Sequence, residues 1–106
     1  RLQAIIAGFI FQSQALVHWL DYGLELQAAI DAPRGRLFDG RTVNLESRVE
    51  APVMEELRSR GHDVTPLGAY SWSCGGMHAI ARDAAGALEG AADSRRDGAA
   101  MPVPLR

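Results

Sequence analysis

Lysine is absent from this chain of 106 residues, and all 11 basic residues are arginines. A guanidinium group stays charged and can pair with a carboxylate through two hydrogen bonds, so arginine favours fixed ion pairs. The net charge of −2 provides no extended positive surface for phosphate groups. Nucleic acid is therefore not an expected partner.

Cysteine occurs once, as Cys74, which excludes an internal disulfide and leaves the redox compartment undetermined. No cluster of Cys and His has the spacing of zinc ligands, so no metal site is expected. Long apolar runs are also missing. The longest extends from Ala4 to Phe11, well short of the roughly 20 residues that span a membrane. We expect no membrane span and interpret this run as part of a core helix.

The composition is that of a globular protein. Hydrophobic residues make up 47% of the chain and charged residues 23%, unlike disordered or fibrous proteins. Folding a chain of this size buries roughly 65% of the unfolded surface, enough for one core. Residues 1–106 show no internal repeat and no linker, so they form one domain or part of one. The tail at 99–106, with Pro102 and Pro104, is expected to be mobile.

The first predicted element is a helix from about Leu2 to Asp21, indicated by apolar residues at three- and four-residue spacing. Ile10 and Phe11 widen its apolar stripe. A helix that is apolar on most of its circumference is usually buried on several sides. We therefore expect it to need more covering protein than this chain supplies, and to expose apolar surface in the isolated chain.

Glycine and proline divide the rest of the chain into short elements. Gly23 ends the first helix and Pro33 ends the second. Asp39-Gly40 predicts a tight type I′ turn between two strands, or a loop that is a residue or two longer. The predicted elements are, in order, a helix at 26–32, hairpin strands at 36–38 and 42–45, a helix at 52–60, a strand at 63–66, a loop at 67–76, and hairpin strands at 77–82 and 87–92.

The sequences of two of these elements also predict how the elements pack. The third helix is expected to bury Val53, Met54 and Leu57 and to end at Gly61 in a left-handed conformation. The last strand, residues 87–92, consists mainly of alanine and glycine. Such residues are poor strand formers, so another element should pack closely on this strand.

Candidate catalytic pairs are weakly supported. Cys74 and His78 could suggest a thiolate and imidazole pair, but a loop cysteine and a strand histidine need not converge. Cys74 is better interpreted as a small buried residue. Glu55 and Glu56 diverge by about 100 degrees around a helix, so they cannot act on one substrate. We predict no catalytic residue in this chain.

Two groups of charged residues lie at element boundaries. They are Asp31 with Arg34, and Asp93, Arg95, Arg96 and Asp97. An acid and a guanidinium at such a boundary can fix how neighbouring elements meet. The alternative is a set of surface ion pairs, each worth about 0 to 1 kcal/mol.

Three segments carry a resemblance to a known family. They are Ala28-Ala29-Ile30-Asp31-Ala32-Pro33-Arg34, Glu55-Glu56-Leu57-Arg58-Ser59-Arg60-Gly61-His62-Asp63-Val64 and Glu89-Gly90-Ala91-Ala92-Asp93-Ser94-Arg95-Arg96-Asp97-Gly98. Their order resembles the C-terminal part of the small subunit of gamma-glutamyltransferases, in the N-terminal nucleophile hydrolase superfamily. This chain departs from the family pattern at two positions. In the family an aromatic residue commonly follows the arginine that matches Arg34, where this chain has Gly35. Proline is usual in the family at the position of Ser94.

The resemblance implies an α+β fold that forms part of a four-layer αββα sandwich. It also implies transfer of a gamma-glutamyl group from glutathione-like amides to water or an amino acid, without a cofactor or metal. The threonine nucleophile and the glycine pair of the oxyanion hole lie upstream of the matched segment in the family. Arg34, Asp93 and Arg95 are then expected to support the active site without reacting.

The partners implied are the upstream part of the same protein, meaning the large subunit and the N-terminal half of the small subunit, and a gamma-glutamyl substrate in the intact enzyme. The resemblance therefore implies that residues 1–106 are a C-terminal fragment, which we expect to be inactive alone. The alternative hypothesis is a non-catalytic relic or an interaction module that binds a partner through an exposed sheet edge.

Overall fold

The computed structural model describes residues 2–37 and 39–104, with side chains from residue 11 onwards. Its elements are α1 (Leu2–Leu20), α2 (Leu26–Asp31), β1 (Gly35–Leu37), β2 (Thr42–Glu46), α3 (Ala51–Ser59), β3 (Asp63–Leu67), a 3-10 turn (Trp72–Cys74), β4 (His78–Arg82) and β5 (Leu88–Ala92). The predictions that involve Arg1, Phe38, Leu105, Arg106 and the apolar side chains of residues 2–10 lie outside this description.

The two N-terminal helices form as predicted, and local signals end both. Gly23 has a φ of 68°, which lets the Leu24 N–H reach the His18 carbonyl at 3.0 Å and close α1. Pro33 follows α2, where Ala32 has left the helical region with a ψ of 148°. On α1, Leu16 and Leu20 are exposed, as expected for this helix in the isolated chain.

The first sheet has the order β1-β2-β3. β1 and β2 are antiparallel, with Gly35 opposite Leu45, so the predicted hairpin is confirmed. The tight two-residue turn is not formed. The register places Leu37 opposite Val43, whereas a turn centred on Asp39 and Gly40 would place Leu37 opposite Thr42. The loop is therefore longer, as the alternative expected, and Gly40 has a left-handed φ of 61°.

β2 and β3 pair in parallel, with Thr42 opposite Asp63, and α3 provides the connection between them. The predicted left-handed residue after α3 is confirmed, because Gly61 has a φ of 93°. The buried stripe is narrower than expected. Met54 is buried and Leu57 is half-buried, but Val53 is exposed, because α3 covers β3 with one face only.

The second sheet contains β4 and β5, antiparallel with His78 opposite Ala92. Helix α2 packs on it, and Leu26, Ile30 and Ala91 form a buried cluster. Trp19, Met77, Ala79 and Ala81 pack against that cluster. The expectation that another element lies close to the small-residue strand is confirmed.

The end of the described chain, residues 99–104, contains neither helix nor strand. It passes β5 closely, since a β-carbon at Gly90 would lie 2.9 Å from the β-carbon of Ala100. Within residues 2–37 and 39–104, no helix is both long and apolar enough to cross a membrane.

Candidate functional site: a buried charge cluster

Four charged side chains meet where the ends of both sheets approach α2. Arg34 precedes β1, Glu46 ends β2, and Asp93 and Arg95 follow β5. All four are buried, with exposed fractions between 0% and 7%. We call these residues the buried charge cluster. Its two guanidinium and two carboxylate groups balance in charge, as a buried ionic group requires.

Arg95 is the most fully bonded member. Its Nε and Nη2 donate to the two carboxylate oxygens of Glu46, each at 2.6 Å. Its Nη1 donates to the Ile30 carbonyl at 2.9 Å and to Asp93 Oδ1 at 3.1 Å. Its Nη2 also donates to the Ala32 carbonyl at 2.8 Å. All five N–H groups of a guanidinium are thereby used, and two carbonyls at the end of α2 gain donors.

Glu46 is the acceptor that joins the most segments. Besides the two bonds from Arg95, Oε2 accepts the Arg34 backbone N–H at 2.9 Å and Oε1 accepts the Ser71 backbone N–H at 2.8 Å. Arg48 Nη2 donates to Oε2 at 3.1 Å. The carboxylate therefore connects β1, β2, the loop before β4 and the segment after β5.

Arg34 and Asp93 form the second ion pair, with 2.7 Å between Nη1 and Oδ2. Arg34 also donates to the carbonyls of Ile30, at 2.8 Å, and Cys74, at 3.2 Å. Asp93 accepts the backbone N–H groups of Met77 and Arg95, each at 2.9 Å. One donor, Arg34 Nε, is buried without a hydrogen-bond partner among the described residues.

The electrostatics keep the cluster ionised. Burial alone would raise the pKa of Glu46, but hydrogen bonds from Arg95 and from the Arg34 and Ser71 N–H groups outweigh it, and the pKa is lowered. Asp93 behaves likewise: burial acts to raise its pKa, yet the Arg95 N–H and the Arg34 charge lower it. Neither carboxylate is suited to act as a proton donor near neutral pH, because both are held in the charged form.

The pKa values of the two cluster arginines are shifted in opposite directions. Burial and then the positive charge of Arg95 lower the pKa of Arg34, although a guanidinium remains protonated. For Arg95, burial acts to lower the pKa, but the contacts with Glu46 and Asp93 outweigh it and raise the pKa. The central ionic contact of the cluster is therefore Arg95 with Glu46.

An outer layer covers the Glu46 side of the cluster. The Arg48 guanidinium lies 3.7 Å from the centre of the Tyr70 ring and donates to the Ala69 carbonyl at 2.7 Å. Tyr70 is also 5.7 Å from the Arg95 guanidinium. Arg48 is partly exposed, with 25% of its side chain accessible. It thus separates the buried carboxylate from solvent.

The structure brings together three of the residues that the sequence singled out, Arg34, Asp93 and Arg95. Asp93 and Arg95 form an ion pair within their predicted group, at 3.1 Å, but the predicted group of Asp31 and Arg34 is wrong. Arg34 pairs with Asp93, not with its neighbour Asp31. The Asp31 carboxylate instead accepts the Ser94 hydroxyl at 2.8 Å. The Asp31 side chain, at the end of α2, points toward the segment after β5 and does not reach the buried interior. Of the remaining residues, Arg96 donates to the Trp72 carbonyl at 2.8 Å, and Asp97 is exposed.

The disfavoured nucleophile pair also has no support in the geometry. Cys74 is fully buried, and burial raises the pKa of its thiol, which opposes thiolate formation. His78, on β4, is exposed. No group of three or more His, Cys, Asp or Glu side chains in the described part of the chain could hold a metal ion.

Sequence reasoning missed Glu46, because the register that could have found it depends on the length of the hairpin loop. A two-residue turn at Asp39-Gly40 would place Arg34 opposite Leu45, whereas the observed register places Arg34 opposite Glu46. Opposite charges at facing positions of an antiparallel pair are a recognised stabilising arrangement. The observed pairing continues to these two residues, because the Glu46 N–H donates to the Arg34 carbonyl at 3.0 Å.

Comparison with known proteins gives consistent results. Residues 6–103 match the family described as gamma-glutamyltranspeptidase. The chain is 34% identical over 99 residues to the glutathione hydrolase-like YwrD proenzyme of Bacillus subtilis, covering 87% of this chain and 18% of that protein. It is 38% identical over 96 residues to the oxamate amidohydrolase proenzyme of Klebsiella pneumoniae, covering 84% and 18%.

Among solved structures, cephalosporin acylase from Bacillus halodurans superimposes with a TM-score of 0.83 at 29% identity, covering 91% of this chain and 18% of that chain. This confirms the expected α+β fold class, as part of the N-terminal nucleophile hydrolase sandwich. The chain spans less than a fifth of the length of these relatives. With a match over nearly all of its length, the chain belongs to the gamma-glutamyltranspeptidase family.

Proposed function

We propose that this chain is a C-terminal structural segment of a gamma-glutamyltransferase-like amidohydrolase. The parent enzyme transfers a gamma-glutamyl group from glutathione-like amides to water or an amino acid. Its nucleophile and oxyanion hole belong to the part of the protein outside this chain. Residues 1–106 contribute to a larger domain, and the rest of the parent protein is their main partner.

The observation that carries this proposal is the buried charge cluster. A cluster with lowered carboxylate pKa values and bonded guanidinium groups offers neither a base nor a nucleophile. It does fix the positions of both sheets relative to α2, through Arg95 and Glu46. Acyl transfer depends on such fixed positions, because displacement of reacting groups by about 1 Å can reduce the rate about 100-fold.

Arg34, Asp93 and Arg95 accordingly act as positioning residues in the parent enzyme, and Glu46 joins them. In an N-terminal nucleophile hydrolase, strands carry the reacting groups at their ends. The cluster connects the ends of β2 and β5 to α2. It thereby limits movement of the two sheets that support the active site in the parent enzyme. The contribution to catalysis is pre-organisation, without contact between these four side chains and the substrate.

A second candidate differs in the acyl group. The relative named oxamate amidohydrolase is slightly more similar to this chain, at 38% identity, than the glutathione hydrolase-like protein, at 34%. A parent enzyme that hydrolyses a small amide other than a gamma-glutamyl amide is therefore the alternative substrate class. Both candidates assign the same scaffold role to this chain.

The test uses two chimaeras, in which this chain replaces the matched segment of the YwrD proenzyme or of the oxamate amidohydrolase proenzyme. Each is assayed with glutathione and with oxamate. We expect the first to release glutamate and to exceed the second in yield of active enzyme, whereas the isolated chain releases none. Arg34→Ala should lower activity about 100-fold, and the matched exposed variant Arg60→Ala should not.

Release of glutamate by the isolated chain would overturn the scaffold role. Activity restored only in the oxamate amidohydrolase background would favour the second candidate. Equal activity of Arg34→Ala and Arg60→Ala in an active chimaera would remove the positioning role of the cluster.

A further inference from the structure

Aspartate followed by glycine occurs twice in this chain, at Asp39-Gly40 and at Asp97-Gly98. In such a pair the backbone nitrogen of the glycine can attack the side-chain carboxyl carbon of the aspartate, because glycine has no β-carbon to hinder the approach. The product is a five-membered succinimide ring, which water opens again. Both pairs are therefore candidate sites of spontaneous backbone modification.

Ring closure has three structural requirements. The carboxylate must be free of hydrogen bonds, and the glycine N–H must not be held by an acceptor. The backbone must also rotate about the Cα–C bond of the aspartate. Hydrogen-bonded structure opposes these changes, because it must open locally before the atoms can meet. The surroundings of the two pairs therefore decide which of them reacts in the folded protein.

The Asp39-Gly40 pair lies in a restrained loop between β1 and β2. The Asp39 carbonyl accepts the Thr42 N–H at 3.3 Å, and the paired strands hold both ends of the loop. Gly40 has a left-handed φ of 61°. Rotation about the Asp39 Cα–C bond would break the hydrogen bond to Thr42. We therefore expect the fold to protect this pair.

The Asp97-Gly98 pair has no such restraint. It follows β5, within residues 93–104, which contain neither helix nor strand. Asp97 is exposed. Among the residues that the structure describes, none forms a hydrogen bond with the Asp97 carboxylate, the Asp97 carbonyl or the Gly98 N–H. All three requirements for ring closure are met here.

We propose that Asp97-Gly98 is a site of spontaneous isoaspartate formation in the folded protein. The Gly98 nitrogen forms a bond with Cγ of Asp97 and loses its proton, and one carboxyl oxygen leaves as water. Water then adds to the main-chain carbonyl carbon of Asp97, and the bond from that carbon to the Gly98 nitrogen breaks. The nitrogen regains a proton. The peptide link now passes through Cγ, and the former main-chain carbonyl carbon becomes a free carboxylate.

The modification lengthens the main chain between two fixed points. On one side, Arg96 donates to the Trp72 carbonyl at 2.8 Å. On the other side, Gly98 lies against His78, since a β-carbon at Gly98 would be 2.8 Å from His78 Cε1. The isoaspartyl link adds one carbon atom, about 1.5 Å of chain, to this short path. Because Arg96 is held, we expect Gly98 to move away from the His78 ring.

Peptide mapping of the aged YwrD chimaera tests the site. The protein is kept in water labelled with heavy oxygen at about pH 6, where carboxyl groups are protonated often enough to lose water and the buried charge cluster remains stable. Trypsin cleaves after arginine and places the two pairs in separate peptides, 37–41 and 97–106. Peptide 97–106 should contain at least about 10-fold more isoaspartate and heavy oxygen than peptide 37–41.

Unfolding in urea separates the effect of the fold from that of the sequence. In urea both peptides should form isoaspartate at similar rates, because the reacting dipeptides are identical. Asp97→Glu keeps the charge and should abolish the modification of peptide 97–106, because the larger ring closes far more slowly. The matched variant Asp39→Glu should leave that modification unchanged.

Nuclear magnetic resonance of the histidine rings tests the displacement. A new His78 ring resonance should grow in the chimaera at the same rate as isoaspartate accumulates in peptide 97–106. The resonances of His18 and His62 should stay unchanged, because neither ring contacts the segment after β5. Asp97→Glu should prevent the change at His78.

The inference fails if peptide 97–106 stays free of isoaspartate in the folded chimaera, or if both peptides react equally there. Modification confined to the isolated chain would also overturn it, because the parent protein would then cover this turn. A constant His78 resonance in fully modified protein would contradict the displacement. These measurements detect the covalent structure of the chain and not its activity, so their outcome is independent of the proposed function.

Discussion

The buried charge cluster and the exposed face of α3 contain the same kind of ion pair in opposite surroundings. Arg95 and Glu46 meet at 2.6 Å with fully buried side chains. Arg60 and Glu56 meet at 2.8 Å with exposed fractions of 69% and 59%. The distances are similar, but Arg95 holds Glu46 through two hydrogen bonds and Arg60 holds Glu56 through one. The larger difference between the two pairs is in their surroundings.

The difference shows that distance does not measure the importance of an ion pair. An exposed pair replaces contacts with water by contacts of similar strength and is worth about 0 to 1 kcal/mol. In a buried pair, water cannot reach the charge that remains when one partner is removed. Removal of one partner therefore leaves an uncompensated charge and costs about 3 to 5 kcal/mol. Loss of a residue from the cluster should therefore destabilise the fold, whereas loss of an ion pair on α3 should have little effect on stability.

Acid should produce the largest effect, because it removes both negative charges of the cluster. The folded pKa values of Glu46 and Asp93 are lowered, so the unfolded chain binds protons first. Their contribution to stability is present above the ordinary carboxyl pKa of about 4 and is lost as pH falls through the folded values. The free energy of unfolding in urea should therefore fall steadily below about pH 5.

The control for the acid effect is Glu46→Gln, which should weaken the dependence of unfolding on pH below 5. The YwrD chimaera serves as the host for all stability measurements, with the isolated chain beside it. A free energy of unfolding that stays constant from pH 7 to pH 3 would contradict the lowered carboxylate pKa values.

Arg95→Ala should be the most damaging single substitution, at about 5 kcal/mol, the upper end for a buried pair. It removes five hydrogen-bond donors at once and takes the Arg95 donor from the Ala32 carbonyl, while the Ile30 carbonyl keeps its bond from Arg34. Arg95→Lys should not rescue stability, because an ammonium group cannot reproduce the planar fork that faces Glu46. Denaturant unfolding checks both variants, and full rescue by lysine would mean that charge alone matters.

Arg34→Ala should cost about 3 to 5 kcal/mol, since it leaves Asp93 with one guanidinium in place of two. The cost should fall below that of Arg95→Ala, because the Arg34 Nε has no partner to lose. Unfolding of the two variants in urea under the same conditions gives the order directly. A loss below about 1 kcal/mol would place Arg34 with the surface ion pairs.

The sequence predicts the local part of this structure well, because glycine and proline act through their own backbone. Gly23 and Gly61 end helices with positive φ angles, and Pro33 separates α2 from β1. The Asp39-Gly40 signal located the hairpin, although the turn type depends on where the two strands stop pairing. That point is set by packing, which a dipeptide does not encode.

The sequence predicted some residues of the buried charge cluster but not all of their contacts. The motifs around Arg34 and Arg95 drew attention to these residues, but Glu46 lies 49 residues before Arg95, and no local pattern connects them. The nearest acid in sequence, Asp31, was the wrong partner for Arg34. Partner choice inside a protein follows from which element ends meet, and Glu46 and Arg95 lie at the ends of strands in different sheets.

Arg48→Ala tests a position between the two extremes, and we expect a loss of about 1 to 2 kcal/mol. Arg48 is partly exposed and contacts both Glu46 and the Tyr70 ring. Glu46 keeps its bonds from Arg95 in this variant, so no buried charge is left unpaired. Unfolding in urea at low and high salt separates the contributions, since salt should reduce the Arg48 effect but not the Arg95 effect.

Glu56→Gln should have the smallest effect, below about 0.5 kcal/mol, and it completes the comparison because the same substitution can be made at Glu46. Glu56 loses an exposed contact with Arg60, which water replaces. Glu46→Gln keeps the size of the side chain but places two N–H donors among five donors that need an acceptor, so it should cost about 3 kcal/mol or more. Equal losses at the two positions, measured in the same denaturant series, would mean that burial does not distinguish them, and the cluster would then be unable to hold the sheets in position.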